Sequence, residues 1–282
     1  MRSSHPIGIF DSGIGGLTVA HAITRRLPHE NILYFGDTAH LPYGDKSAAA
    51  IQAYAVKICN LLIQQECKLI LIACNSASAA AFELVREYVG SKAKVMNVID
   101  PVIDYLGEHY ARHTIGLIGT KQTVNSNVYR KKTDALEKGI VLHSLATPLL
   151  APMIEEGFFN KNISQAIVNE YLSDESLRGI EALILACTHY PLIKAQINAY
   201  YGGGVAVIDS SEIVAQSLQG YLTEHHLLNR QGLVSNEVSN EATSEGLPRR
   251  QFFVSDYTRS FEASTRIFFG EQVRLEHYPL WE

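Results

Sequence analysis

The 282-residue chain is 46% apolar and 19% charged, with a formal net charge of −5, a balance that supports one large globular domain or two of moderate size. The mild acidity, with no basic block along any helical stretch, argues against nucleic acid as a partner. No apolar run reaches the roughly 18 residues of a membrane span, and "MRSSHPIGIF" has no apolar signal region, so no membrane association and a cytoplasmic location are expected.

In chain order, "HPIGIF" (residues 5–10), "NILYFGD" (31–37), "KLILIAC" (68–74), "AKVMNVID" (93–100), "HTIGLIGT" (113–120), "IEALILACT" (180–188) and "GVAVIDS" (204–210) read as strands. Amphipathic stretches such as "GLTVAHAITRRL" (16–27) and "SQAIVNEYLSDESL" (164–177) separate several of them. Continuous rather than alternating hydrophobicity marks strands covered on both faces, so the expected class is α/β with mainly parallel sheets. The segment 229–250, rich in Ser, Asn and Glu, reads as a surface loop without chemistry.

Two motifs recur in the same order. "IGIFDSG" at Ile7 is echoed by "IGLIGTK" at Ile115, and "LILIACNSAS" by "ALILACTHYP". Ile7 and Cys74 are 67 residues apart, Ile115 and Cys187 72 apart, which predicts two similar, pseudo-symmetric α/β units. Each unit ends an apolar strand with Ala-Cys and a small polar group ahead of an expected helix start. Ligands of open α/β sheets bind beyond the carboxyl ends of strands, so both cysteines are candidates for the edge of one site in a cleft between the units. Two thiols flanking a substrate carbon suit racemisation: one removes a proton from one face and the other supplies a proton to the opposite face. An ordinary thiol pKa of about 8.5 makes both protonation states accessible with modest tuning, and a helix N-terminus favours the anion.

The remaining cysteines, Cys59 and Cys67, lie in or just after the helical stretch "IQAYAVKICNLLIQQECK" and read as packing residues. No CxxC or Cys/His spacing suggests a metal. "DSGIGG" fails as a nucleotide loop, because Thr18 stands where the last glycine of GxGxxG belongs and no phosphate-loop lysine follows. Asp37 and Asp45 read as turn residues.

Together, "IGIFDSGIGGLTV", "YFGDTAHLPYGDKS", "ACNSASA", "LIGTKQTV" and "LACTHYP" resemble the glutamate racemases of the aspartate/glutamate racemase superfamily, from the N-terminus to about residue 215 and more weakly at "FFVSD". The resemblance implies a cofactor-independent, metal-free isomerase of glutamate that supplies D-glutamate for peptidoglycan and hence for the cell wall and cell shape. It also implies a homodimer. By the same resemblance Cys74 and Cys187 are the catalytic acid/base pair, Cys74 acting on D-glutamate and Cys187 on L-glutamate. Asp11 and His189 assist them, and Glu155 in "PMIEEG" is a further candidate beside Cys187, with Glu156 adjacent. Substrate-binding positions carry over to Asp11, Ser12, Tyr43, Gly44, Asn75, Ser76, Thr188 and His189, with Thr120, the partner of Ser12 across the repeat, a weaker candidate. Ser76 departs from the family's usual Thr and keeps the hydroxyl. The repeat sets Gly119 opposite Asp11 and Ser76 opposite His189, so the polar helpers of the two cysteines differ.

The expected domains are residues 1–97 plus 210–282, and 98–209. Three other readings stay open: racemisation of aspartate or another small amino acid, a silent binding relative, and a thiol hydrolase using Cys187 and His189. The last leaves Cys74 without a task.

Overall fold

The computed structural model describes residues 2–159, 162–229 and 248–282. One six-stranded sheet contains β1 (Ile7–Asp11), β2 (Ile32–Gly36), β3 (Leu69–Ile72) and β4 (Lys94–Asn97), joined by β9 (Arg250–Val254) and β10 (Glu276–His277) from the C-terminal part of the chain. A four-stranded sheet contains β5 (Thr114–Gly119), β6 (Val141–Ala146), β7 (Ala182–Ala186) and β8 (Ala206–Asp209). The orders are β10-β9-β2-β1-β3-β4 and β6-β5-β7-β8, and every pairing is parallel. The helices among the described residues are α1 (Leu17–Arg26), α2 (Ala48–Gln64), α3 (Asn75–Val89), α4 (Asp100–His109), α5 (Lys121–Asn125) and α6 (Val128–Ala135). They continue with α7 (Leu150–Glu155), α8 (Asn162–Leu172), α9 (Lys194–Tyr201), α10 (Ser210–Glu224) and α11 (Arg259–Phe269).

The internal echo is a repeat of topology. The order β2-β1-β3-β4 recurs as β6-β5-β7-β8, and the register Ile7 with Leu69 recurs as Ile115 with Ala182. Both cysteines therefore leave their sheets at equivalent points. The strands are apolar throughout because successive residues enter different cores. Ile7 and Ile9 of β1 join Leu17, Ile23, Leu183 and Leu218, whereas Phe10 joins Ile58, Leu62 and Ile72. In β7, Leu183 and Leu185 join the first of these cores and Ile184 joins Val102 and Leu117. Each such buried aliphatic side chain contributes roughly 1.5–3 kcal/mol. The first core spans the two sheets, and α10 packs on α1 from one half and α4 from the other.

The seven expected strands are all present. β6, β9 and β10 were not anticipated. β6 (Val141-Leu-His-Ser-Leu-Ala) is an edge strand with an exposed start and partly exposed residues beyond Leu142, so it lacks the continuous apolar run of a doubly covered strand. Of the segment 229–250, residues 230–247 lie outside the described residues, and Arg250 opens β9. Among the described residues no helix is long and apolar enough to cross a membrane.

At the edge of the first sheet remote from the cysteines, Lys68 precedes β3 and is fully buried. Its ammonium donates to Glu30 Oε2 at 2.5 Å, Ser3 O at 2.5 Å and Leu227 O at 2.9 Å. Glu30 Oε1 accepts the Asn229 N–H at 2.8 Å. One ion pair thus joins the N-terminal segment, the turn before β2 and the chain leaving α10. Removing one partner of a buried pair costs about 3–5 kcal/mol, so Lys68→Met should lower the free energy of urea unfolding by about that amount. A loss under about 1 kcal/mol would show that the pair does not fix this edge.

Candidate active site

Cys74 is the N-cap of α3. After Ile72 the chain leaves the sheet, and Cys74 Sγ accepts the Ala77 N–H at 3.5 Å, as a capping side chain does. The alanine-rich start of α3 allows close packing against β3, and Gly90 at φ +55° ends the helix. The Cys74 thiol also donates to Ser12 Oγ at 3.8 Å. Burial pushes its pKa up to about 12, reinforced by the Asp11 charge and opposed by the Ala77 N–H and Ser12. Cys74 is therefore a thiol near neutrality, and the helix terminus does not reverse that.

The glycines of "DSGIGG" serve packing. Asp11 ends β1 fully buried, and its Oδ2 accepts the N–H groups of Gly13 at 3.2 Å and Gly16 at 3.0 Å. A Cβ on Gly16 would lie 2.6 Å from that of Asp11, and one on Gly15 would lie 2.4 Å from the His189 ring. The loop is the bare surface on which His189 rests. Asp11 Oδ1 has no partner among the described residues, and burial raises the Asp11 pKa against the lowering effect of His189 and the two N–H groups.

Cys187 follows β7 without capping a helix, contrary to the expected parallel with Cys74. Thr188 and His189 form a turn, a single 3-10 turn runs from Tyr190 to Ile193, and α9 starts only at Lys194. Pro191 falls in the first turn of this 3-10 segment, where its missing N–H is tolerated. His189 stands where the α3 N-terminus stands in the first half. Its Nδ1 lies 3.6 Å from Cys187 Sγ and its Nε2 2.9 Å from Glu155 Oε1 at the end of α7. Burial alone would lower the His189 pKa, but the bonds to Cys187 and Glu155 outweigh it and hold the pKa well above the usual value. Glu155, not the exposed Glu156, is the residue in contact.

A cavity of about 30 Å³ lies among Ser12, Pro42, Tyr43, Gly44, Cys74, Asn75 and Ser76 from the first half and Thr120, Ala151, Glu155, Ala186, Cys187, Thr188 and His189 from the second. Every expected site residue except Asp11 lines it; Asp11 lies beneath. Ser76 Oγ is 2.8 Å from Thr120 Oγ1 across the two halves, and the Thr18 hydroxyl donates to Thr188 O at 3.0 Å. The Tyr43 hydroxyl donates to Asp37 at 2.6 Å, which leaves ring and backbone to the cavity. The Tyr129 hydroxyl donates to Asn75 Oδ1 at 2.7 Å, while the buried Asn75 Nδ2 has no partner among the described residues. Asp37, Thr123 and Tyr129 support lining residues from behind; the first two lie inside "YFGDTAHLPYGDKS" and "LIGTKQTV", where neither reads as a site residue, and Tyr129 lies outside every motif. Cys59 and Cys67 pack in the core as expected, with burial raising both thiol pKa values, Cys67 to about 12. Among the described residues no group of three His, Cys, Asp or Glu side chains is arranged to hold a metal ion.

A sequence profile described as Asp/Glu/Hydantoin racemase matches residues 17–218. The chain belongs to this family. Its relatives there include the glutamate racemases of Syntrophus aciditrophicus, 38% identical with 95% of this chain and 94% of the relative covered, and of Chlorobaculum parvum, 38% identical with 97% and 95% covered. The crystal structure of the Francisella tularensis glutamate racemase in complex with D-glutamate superposes with a TM-score of 0.87 at 37% identity, covering 99% of both chains.

Since Glu155 is one of the two partners that hold the His189 proton, Glu155→Gln should move the His189 titration, followed by imidazole nitrogen NMR, to lower pH. An unchanged titration would mean that Glu155 does not set the charge of His189.

Proposed function

We propose that the protein is a cofactor-independent glutamate racemase in which Cys74 and Cys187 act as the acid/base pair on opposite faces of the substrate α-carbon. The observation that carries this reading is the convergence of two cysteines, from equivalent strand ends of two like sheets, on one cavity. The family and the glutamate racemases within it supply the substrate. The domains are residues 1–97 with 210–282, and 98–209, and the active site is the cleft between them.

From L-glutamate, the Cys187 thiolate takes the α-proton, with the His189 imidazolium 3.6 Å away as its counter-charge. The Cys74 S–H gives its proton to the other face, and D-glutamate forms. Cys187 is left as a thiol and Cys74 as a thiolate, the pair that starts the reverse reaction. The protonation state belongs to the pair, not to either sulfur. The two cysteines have unlike partners, yet an equilibrium constant of one between enantiomers forces equal kcat/KM in both directions. Asn75 Nδ2 and the hydroxyls of Ser12, Ser76 and Thr120 are donors for the substrate carboxylates. The cavity has room for one or two water molecules, so its walls part to admit glutamate. The product D-glutamate would serve peptidoglycan synthesis, in the cytoplasm, from a homodimer.

Chelator-treated protein without added pyridoxal phosphate should racemise L-glutamate, followed by circular dichroism, and act on aspartate far more slowly. Dependence on metal or pyridoxal phosphate, or a preference for aspartate, would contradict the reading. Folded Cys74→Ala and Cys187→Ala variants should each lose at least about 100-fold in rate, the smallest usual contribution of an acid/base group. Near-normal racemisation by either would end the two-thiol mechanism.

A further inference from the structure

Asp37, which follows β2 as a turn residue, is fully buried and is the acceptor for four side chains from three parts of the chain. Its Oδ2 takes the Tyr43 hydroxyl at 2.6 Å and lies 3.0 Å from His40 Nδ1. Its Oδ1 takes the Ser255 hydroxyl at 2.8 Å and the Trp281 indole N–H at 2.8 Å. A carboxylate out of water is tolerated only with its lone pairs filled, so these four donors are held to one point. The surroundings tie the same segments again. The Ser255 hydroxyl accepts the Ala39 N–H at 3.0 Å, and the Thr38 hydroxyl exchanges hydrogen bonds with Asp256 at 2.6 and 2.8 Å. Trp281 closes the cluster, with its ring centroid 4.4 Å from that of His40 and the Lys57 ammonium 4.6 Å from its own centroid.

Only one of the four donors, Tyr43, lines the cavity; Asp37 itself does not. We propose that Asp37 is a positioning residue that fixes the Tyr43–Gly44 wall of the cavity by anchoring it, through Ser255 and Trp281, to the segments around β9 and β10. The role goes beyond proton transfer but rests on the glutamate racemase reading, because the wall it holds is a substrate wall. With both oxygens engaged and no place on the cavity surface, Asp37 neither takes nor gives a substrate proton. On its other side the wall meets the second half, where a Cβ on Gly44 would come within 2.8 Å of Thr120 and Lys121 lies 3.3 Å from Asp45, and because Tyr43 itself lines the cavity its displacements reach the cavity directly.

The test uses the full chain. Asp37→Asn keeps the shape and puts an amide N–H₂ where two donors converge; Trp281→Phe keeps a ring and removes one donor. Asp37→Asn should raise KM for L-glutamate about tenfold, the scale of one lost charge-assisted hydrogen bond, with kcat within about threefold of wild type. Trp281→Phe should raise KM in the same direction by less, and neither variant should change the pH–rate profile. Trp281 is the sole tryptophan, so its emission reports the anchor without substrate: Tyr43→Phe should shift it. Folded Asp37→Asn and Trp281→Phe proteins with unchanged KM would overturn the proposal, as would a large kcat loss with a displaced pH profile, which marks an acid or base. Wild-type protein inactive on glutamate would sink the functional reading instead, and the emission of Tyr43→Phe would still decide the anchor, an unshifted spectrum overturning it.

Discussion

Two matched strand pairs, β1 with β3 and β5 with β7, are the constraint on which the site depends. Their parallel register, Ile7 with Leu69 and Ile115 with Ala182, brings one cysteine out of each sheet at the same point of its turn. Parallel strands need both faces covered, and the shared core between the sheets satisfies that need while holding the two cysteine turns against one cavity. The meeting of the two cysteines at one cavity is thus a consequence of backbone topology before it is a matter of side-chain chemistry.

The two halves treat their cysteines differently. In the first, the helix starts at once, Cys74 caps it and burial leaves a thiol. In the second, a 3-10 turn over Tyr190–Ile193 precedes the helix, and the space beside the sulfur goes to His189, kept charged by Cys187 and Glu155. The sequence-level repeat aligned Ser76 with His189, and that one exchange marks where the site becomes asymmetric. A thiol on one side and an imidazolium beside the other sulfur make the two surroundings electrostatically unequal, as the proposed two-base chemistry needs.

Strands covered on both faces were legible because their apolar runs are unbroken. β6 and β9 were not, since one is an exposed-start edge strand and the other adjoins a polar stretch without periodicity. Most cavity residues in the five motifs were legible for a similar reason: they lie at strand ends, where position and chemistry coincide, whereas Tyr43 and Gly44 sit in a turn well past β2 and were reached through the motif alone. In the sequence only the motif register set Glu155 apart from the adjacent Glu156, and the contact with His189 is what distinguishes them in the structure. Asp37 read as an ordinary turn aspartate, since its partners Ser255 and Trp281 are more than two hundred residues away. Distant polar convergence of that kind leaves no periodic trace.

The most direct measurement is racemisation of L-glutamate in heavy water, stopped early and read by mass spectrometry of the separated enantiomers. Two thiols on opposite faces predict D-glutamate carrying deuterium at the α-carbon while the remaining L-glutamate stays almost wholly protonated. Product that retains the original α-proton, or substrate that gains deuterium as fast as product forms, would contradict a two-base site built from Cys74 and Cys187.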